Sequence, residues 1–271
     1  MKIEIRDLEF SYPAGIQALR GITLTIGSGE QVAIVGQNGA GKTTLVRHFN
    51  GLLQPTSGEI QIGGWDTRKY SVAKLASRIG YVFQNPDEQL FSRDVKTEVA
   101  FGPKNLGYPN EQVEILVHEA LEMTELSDKT EMNPYDLSPT WRKMVAIASI
   151  ISMDTPIVIF DEPTTGQDAA NIARIANVIK VLRERGKTLI TITHDIDFCA
   201  ENFERVIAMS QGKILLDGKA NEVLGQEDRL ATTYVDPPQL TRLATRLELN
   251  DTIIREDMFL TELHKKLTRT L

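Results

Sequence analysis

An α/β fold built on a parallel sheet is predicted by three observations. A short apolar strand over 31–35 runs straight into a glycine-rich turn and then into a helix. A second all-apolar strand, 157–160, ends in two acids, Asp161 and Glu162. A third, 188–193, follows a helix over 172–185, and apolar strands separated by helices pack as a parallel sheet covered on both faces. The 271 residues suit one large domain, or one with a small appendage.

Taken in order, the chain opens on apolar–polar alternation. Residues 2–10 and 21–26 read as the strands of an antiparallel start. After the strand 31–35 come the turn 36–41 and a helix from 42 to about 49. Short strands are expected at 59–62 and 79–83. From 98 to about 126 the pattern is helical, with Val113, Leu116, Val117, Ala120 and Leu121 at three-four spacing, and 144–151 continues a second helix. The α/β pattern stops near Asp236-Pro237-Pro238. Beyond it Leu240, Leu243, Ala244 and Leu247 fit one helix face, and Phe259, Leu260, Leu263 and Leu267 another. The expected organisation is a main domain over 1–225, with a helical subdomain at about 85–155, and a helical appendage over 226–271.

Composition bounds the partners. Hydrophobic residues make up 41% and charged residues 25%, which fits a buried core and a solvated surface. The net charge of −7 gives no general reason to bind nucleic acid, and none is expected as a partner. The single cysteine, Cys199, cannot form an intrachain disulfide, and its neighbours lack metal-ligand spacing. No apolar run approaches the roughly 20 residues that span a bilayer. The N-terminal alternation is unlike a signal peptide. A cytoplasmic protein that reaches the membrane only through a partner is the expectation.

The richest motif is Gly36-Gln37-Asn38-Gly39-Ala40-Gly41-Lys42-Thr43, with a strand before it and a helix after. Glycines let a backbone curl until several N–H groups face a phosphate. The helix N-terminus adds its positive dipole end. Lys42 supplies a full charge to β- and γ-phosphates, and the Thr43 hydroxyl can ligate Mg²⁺. The strand over 157–160 delivers Asp161 and Glu162 to the carboxyl edge of the sheet, where ligands of open α/β folds bind. There Asp161 is suited to hold Mg²⁺ and Glu162 to act as general base on a water.

Over about residues 1–225 these motifs resemble the ATP-binding-cassette family of P-loop ATPases. The resemblance implies a mixed sheet core with an antiparallel β subdomain and a helical subdomain. It implies ATP and Mg²⁺ as ligands, with the loop from Gly36 to Thr43, and Thr44 beside it, around the phosphates. Phe10-Ser11-Tyr12 looks like the stretch whose aromatic residue, here Tyr12, stacks on adenine. Gln84 matches a glutamine that touches Mg²⁺ and water and reports to a membrane subunit. His194 matches the histidine that contacts the γ-phosphate. Thr165-Gly166-Gln167-Asp168 matches a loop that crosses between two cassettes. A narrower likeness lies in 84–91 and in Val99-Ala100-Phe101-Gly102-Pro103. These stretches look like the ATPases of energy-coupling-factor importers of vitamins and of cobalt and nickel importers. That likeness implies a peripheral subunit on the cytoplasmic face of the membrane. Its partners there are a second ATPase, a transmembrane coupling subunit and a substrate-binding membrane subunit. The C-terminal helices look like those that help hold two such ATPases together.

One motif departs from the family. The signature, normally Leu-Ser-Gly-Gly-Gln, reads Leu137-Ser138-Pro139-Thr140-Trp141 here. In the family it closes over ATP bound to the other cassette. Ser138 can still cap its helix, but Pro139 has no N–H to donate, Thr140 adds a side chain and Trp141 is bulky. Loss of one donor to transition-state charge lowers a rate by about 10²- to 10³-fold. Unequal sites in a dimer of two different ATPases are therefore expected, with Lys42, Thr43, Asp161, Glu162 and His194 intact on this chain. A soluble ATPase working on ribosomes or DNA and a non-catalytic subunit are the rival readings. The first usually carries two cassettes or long coiled-coil inserts, which 1–271 lacks; Glu162 and His194 speak against the second.

Overall fold

The computed structural model of the chain describes residues 1–233, 235–249 and 252–270. Tyr234, Asn250, Asp251 and Leu271, all within the appendage expected over 226–271, lie outside the described residues. The chain begins with the antiparallel pair β1 (Ile3–Ser11) and β2 (Gln17–Ile26). Ile3, Ile5, Leu8 and Phe10 are buried in β1, and Ile22, Leu24 and Ile26 in β2, as half-buried strands require. β3 (Gln31–Val35) is buried along its whole length and feeds α1 (Lys42–Phe49) through the glycine turn. β4 (Ser57–Ile62) and the short β5 (Trp65–Asp66) complete a four-stranded sheet in the order β2-β1-β4-β5. A single turn, α2 (Val72–Leu75), precedes β6 (Ile79–Val82).

The stretch expected to be helical over 98–126 is broken in two. α3 (Val95–Asn105) ends before Gly107, which sits at φ +82°, where only glycine avoids a Cβ penalty. Pro109 then holds the chain extended ahead of α4 (Asn110–Met123). Turn chemistry at these two residues outweighs the apolar periodicity around them. α5 (Pro139–Ile151) also starts earlier than the apolar pattern alone suggests, because Ser138 caps it and Pro139 fits its first turn.

β7 (Ile157–Asp161), α6 (Ala169–Glu184) and β8 (Thr188–Ile192) follow in the predicted order. The sequence reading leaves the next elements unassigned: α7 (Ile196–Asn202), β9 (Arg205–Ser210), β10 (Lys213–Lys219) and α8 (Ala220–Leu224). α9 (Glu227–Ala231), α10 (Gln239–Arg246) and α11 (Glu256–Thr270) form the C-terminal region.

The central sheet has the order β10-β9-β3-β8-β7-β6, and all neighbours are parallel except β10 with β9. Period-two alternation splits each strand between two cores. Ala33, Val35, Val158 and Phe160 pack under α3, α4, α5 and α6. Val32, Ile34, Ile157 and Ile159 pack against β1, β2, β4 and α1. Each large aliphatic side chain buried this way contributes about 2 kcal/mol, so the sheet is fixed from both faces. In the C-terminal region Ala244, Ile253 and Phe259 form a small core of their own, while Leu230, Val235 and Ile254 join the larger one. Two carboxylates of α7 hold the helices that follow. Asp197 accepts the backbone N–H of Gln239, the first residue of α10, at 2.8 Å. Glu201, one turn along, accepts that of Glu256, the first residue of α11, at 3.1 Å.

Candidate active site

Four adjacent parallel strands, β3, β8, β7 and β6, end at one edge of the central sheet, and each releases predicted site residues there. The loop from Gly36 follows β3; His194 follows β8; Asp161 closes β7 and Glu162 succeeds it; Gln84 lies just past β6. The register sets their heights, with Ile34 and Asp161 both opposite Ile192, and Val82 opposite Phe160.

The loop is shaped by close approach. A Cβ on Gly36, at φ +147°, would lie 2.2 Å from the Met209 carbonyl oxygen, and one on Gly41 would lie 2.8 Å from that of Ala18. Gly41 is also the N-cap of α1 and supplies no side chain to its free N–H groups, which are left for an anion beside the dipole. Ala40 is buried, Gln37 half-buried, and Asn38 and Gly39 exposed at the tip. Lys42 lies over the loop and donates to the carbonyls of Gly36 (2.6 Å) and Gln37 (3.1 Å). Burial lowers the pKa of its ammonium, and Glu162 and Asp161 oppose that shift. Thr43 is half-buried next to it. The Tyr12 hydroxyl is 3.0 Å from Thr44 Oγ1, so the first turn of α1 holds this ring beside the loop, edge-on to Phe10.

Asp161 is 2% exposed. Its Oδ2 accepts the Tyr81 hydroxyl at 2.5 Å, and its Oδ1 is buried without a hydrogen-bond partner. Burial raises the carboxyl pKa, Tyr81 opposes the rise, and Glu162 adds to it. A buried carboxylate oxygen left unpaired is costly, and a hard divalent cation with oxygen ligands would satisfy it. The residues therefore fit Mg²⁺. Tyr81 is a site residue that the motif reading missed; burial first, then Asp161, pushes its phenol far up and keeps it a donor.

Glu162 takes a left-handed backbone, φ +46°, rare for a residue with a Cβ, and its N–H donates to Ile192 O at 2.8 Å. Its Oε2 accepts His194 Nδ1 at 2.9 Å and the Thr165 hydroxyl at 3.3 Å. A carboxylate only accepts, so Nδ1 carries the hydrogen and Nε2 is left to an outside partner. The His194 side chain is 65% exposed.

Gln84 is exposed, and its backbone is tied to α5 by a residue no motif marks. Lys143, 1% exposed, donates to the carbonyls of Phe83 (3.0 Å) and Gln84 (2.7 Å). Burial pulls its pKa down to about 8 against the attraction of Asp161 and Glu162.

Ser138 and Asp168 sit together elsewhere. Each is an exposed N-cap: Ser138 Oγ accepts from Trp141 N at 3.4 Å, and Asp168 Oδ1 from Asn171 N at 2.8 Å. The buried Asn171 joins the two regions by donating to Thr140 O (3.4 Å) and Gln167 Oε1 (2.6 Å). Among the described residues no hydrogen bond links either cap to the glycine loop. The Trp141 ring is drawn onto its own chain, with Lys129 Nζ 4.4 Å and the Arg174 guanidinium 4.8 Å from its centre.

Comparison with known proteins bears on this geometry. Residues 19–165 match the family model described as ABC transporter. The chain is 40% identical over 249 residues to the energy-coupling factor transporter ATP-binding protein EcfA of Methanothermobacter thermautotrophicus, covering 91% of this chain and 80% of that protein. It is 44% identical over 243 residues to a putative ABC transporter ATP-binding protein of Methanosarcina acetivorans, covering 90% of this chain. It spans only 40% of that relative's length. Among solved structures it resembles cbiO1 from Clostridium perfringens, part of the ABC transporter complex cbiONQ. That match has a TM-score of 0.77 and 34% identity, and covers 91% of this chain and 98% of that one.

Proposed function

This chain belongs to the ABC transporter family of ATPases, and from that premise we propose that it binds and hydrolyses ATP to energise an energy-coupling-factor importer of vitamins or transition-metal ions. The observation that carries the reading is the Asp161–Glu162 pair, one oxygen of which is orphaned, at the same sheet edge as an amide-lined glycine loop. Lys42 and the N–H groups of residues 36–44 bind the triphosphate, and Tyr12 takes the adenine. Thr43, Asp161 and Gln84 hold Mg²⁺, which supplies charge neutralisation on the phosphate oxygens. Glu162 orients and deprotonates the attacking water through Oε1, since Oε2 is engaged by His194. His194 contacts the γ-phosphate.

The assembly is a dimer of two different ATPases on the cytoplasmic face of the membrane, joined to a coupling subunit and a substrate-binding subunit. The names of the EcfA and cbiO1 relatives support this class of transporter. A groove of about 350 Å³ suits the coupling subunit; Phe91 and Phe101 stand edge-on at 4.7 Å beside it, 61% and 47% exposed. The exposed Leu243 of α10, Leu247 at its C-cap, and Leu260 and Leu267 of α11 suit a contact between the two ATPases. The departures at 139–141 support two unlike partners. ATP binding by the purified chain is expected to depend on Mg²⁺ and to be lost in Lys42→Ala. Undiminished affinity in that variant overturns the reading.

A further inference from the structure

Several polar ties around Gln84 lead to one helix. Lys143, Arg142 and the two groups that Gln89 donates to lie on α5, the helix that Ser138 caps, while Gln89 Oε1 accepts from Phe83 N at 3.1 Å. Arg142 pairs with Asp87 at 2.8 Å. Gln89 donates to Ala146 O (2.7 Å) and Ser149 Oγ (2.9 Å). Of these ties only Lys143 reaches the backbone of Gln84 itself, and it does so with a full charge that is almost completely out of water. A buried ammonium is expensive unless its donors are engaged. Here two carbonyls engage it, while Asp161 and Glu162 lie near enough to attract it. Val82 opposite Phe160 carries residues 83–84 alongside Asp161 and Glu162, and the ammonium grips the carbonyls of that segment.

We propose that Lys143 is a positioning residue for the magnesium-bound nucleotide: by gripping the carbonyls of Phe83 and Gln84 from α5, it fixes where the Gln84 amide can reach. The residue acts through Gln84 and need not touch ATP. It also makes the signature helix and the Gln84 segment one body, so a displacement of either changes the reach of the other. The inference rests on the reading that Gln84 faces the metal on ATP, and a double-mutant cycle separates the two.

The test uses the full chain and titrates Mg²⁺ against binding of a fluorescent ATP analogue, for Lys143→Met, Lys143→Gln, Gln84→Ala and the Lys143→Met/Gln84→Ala pair. Metal-free analogue affinity and thermal unfolding are recorded beside it. Lys143→Met is expected to raise the half-saturating Mg²⁺ about tenfold, the usual scale for losing an outer-shell support. Metal-free affinity is expected to hold. Lys143→Gln, which keeps a donor, recovers most of the loss. In the Gln84→Ala background Lys143→Met changes the Mg²⁺ requirement by no more than about twofold, because the group it positions is gone. Additive losses in the pair, or a fall in metal-free affinity that tracks unfolding, overturn the proposal and make Lys143 structural only. A Gln84→Ala chain with an unaltered Mg²⁺ requirement overturns the reading of Gln84 and this inference with it.

Discussion

The glycine loop and the tip of α5 are both places where a chain turns into a helix, and they are built in opposite ways. At the loop the helix is left uncapped, glycines open the backbone, and Lys42 is held by main-chain carbonyls. At the tip Ser138 spends its hydroxyl on its own helix, Pro139 removes an N–H, and Trp141 is folded back between Lys129 and Arg174. A helix start can receive an anion only if its donors are not consumed from within. The first region keeps its donors and the second gives them up. Under the proposed function, one chain thus carries a complete half of a nucleotide site and a reduced half.

The largest expected effect tests the complete half. With a partner ATPase present, Glu162→Gln should lower phosphate release about 10²- to 10⁴-fold while ATP is still bound, as loss of a general base does. If most activity survives, hydrolysis runs under the tip instead and the contrast is inverted. Next in size is a repair of the reduced half. Replacing Pro139, Thr140 and Trp141 with Gly, Gly and Gln in the Glu162→Gln background isolates the partner's site. Turnover there should rise about 10²- to 10³-fold, the scale of a recovered donor. No rise would mean that the native tip already closes well enough.

Two smaller effects concern the backbone. Gly36→Ala forces a Cβ against Met209 O and should cost about 2 kcal/mol in denaturant unfolding. Ser138→Ala removes only a cap and should cost about 1 kcal/mol. Reversal of that order would mean the loop is the more pliable of the two.

The loop, Asp161 and Glu162 could be placed at one sheet edge because they stand in consecutive residues next to apolar strands, whereas His194 came only with the family resemblance. Tyr81, Lys143 and Asn171 were not legible. Each acts on a group far along the chain, on Asp161, on Gln84 or on Thr140, and nothing near it in sequence signals the partner. The fold shows the same division. β3, β7 and β8 announce themselves as short runs rich in β-branched and apolar residues, buried along their whole length, whereas α7 is short and its role lies in the two carboxylates it lends to other helices. Gly107 and Pro109, by contrast, did carry a visible turn signal, and the apolar periodicity of α4 masked it.

Those two carboxylates have a consequence for rebuilding the molecule. α10 has no side-chain cap of its own; Asp197 provides it from outside, and Glu201 does the same for the start of α11. Both belong to the short segment that begins just after His194. A chimera that borrowed this tail from residue 226 onward would leave its two anchor points behind. A transplant keeping the native pose must bring 195–202 with it, histidine-proximal end included.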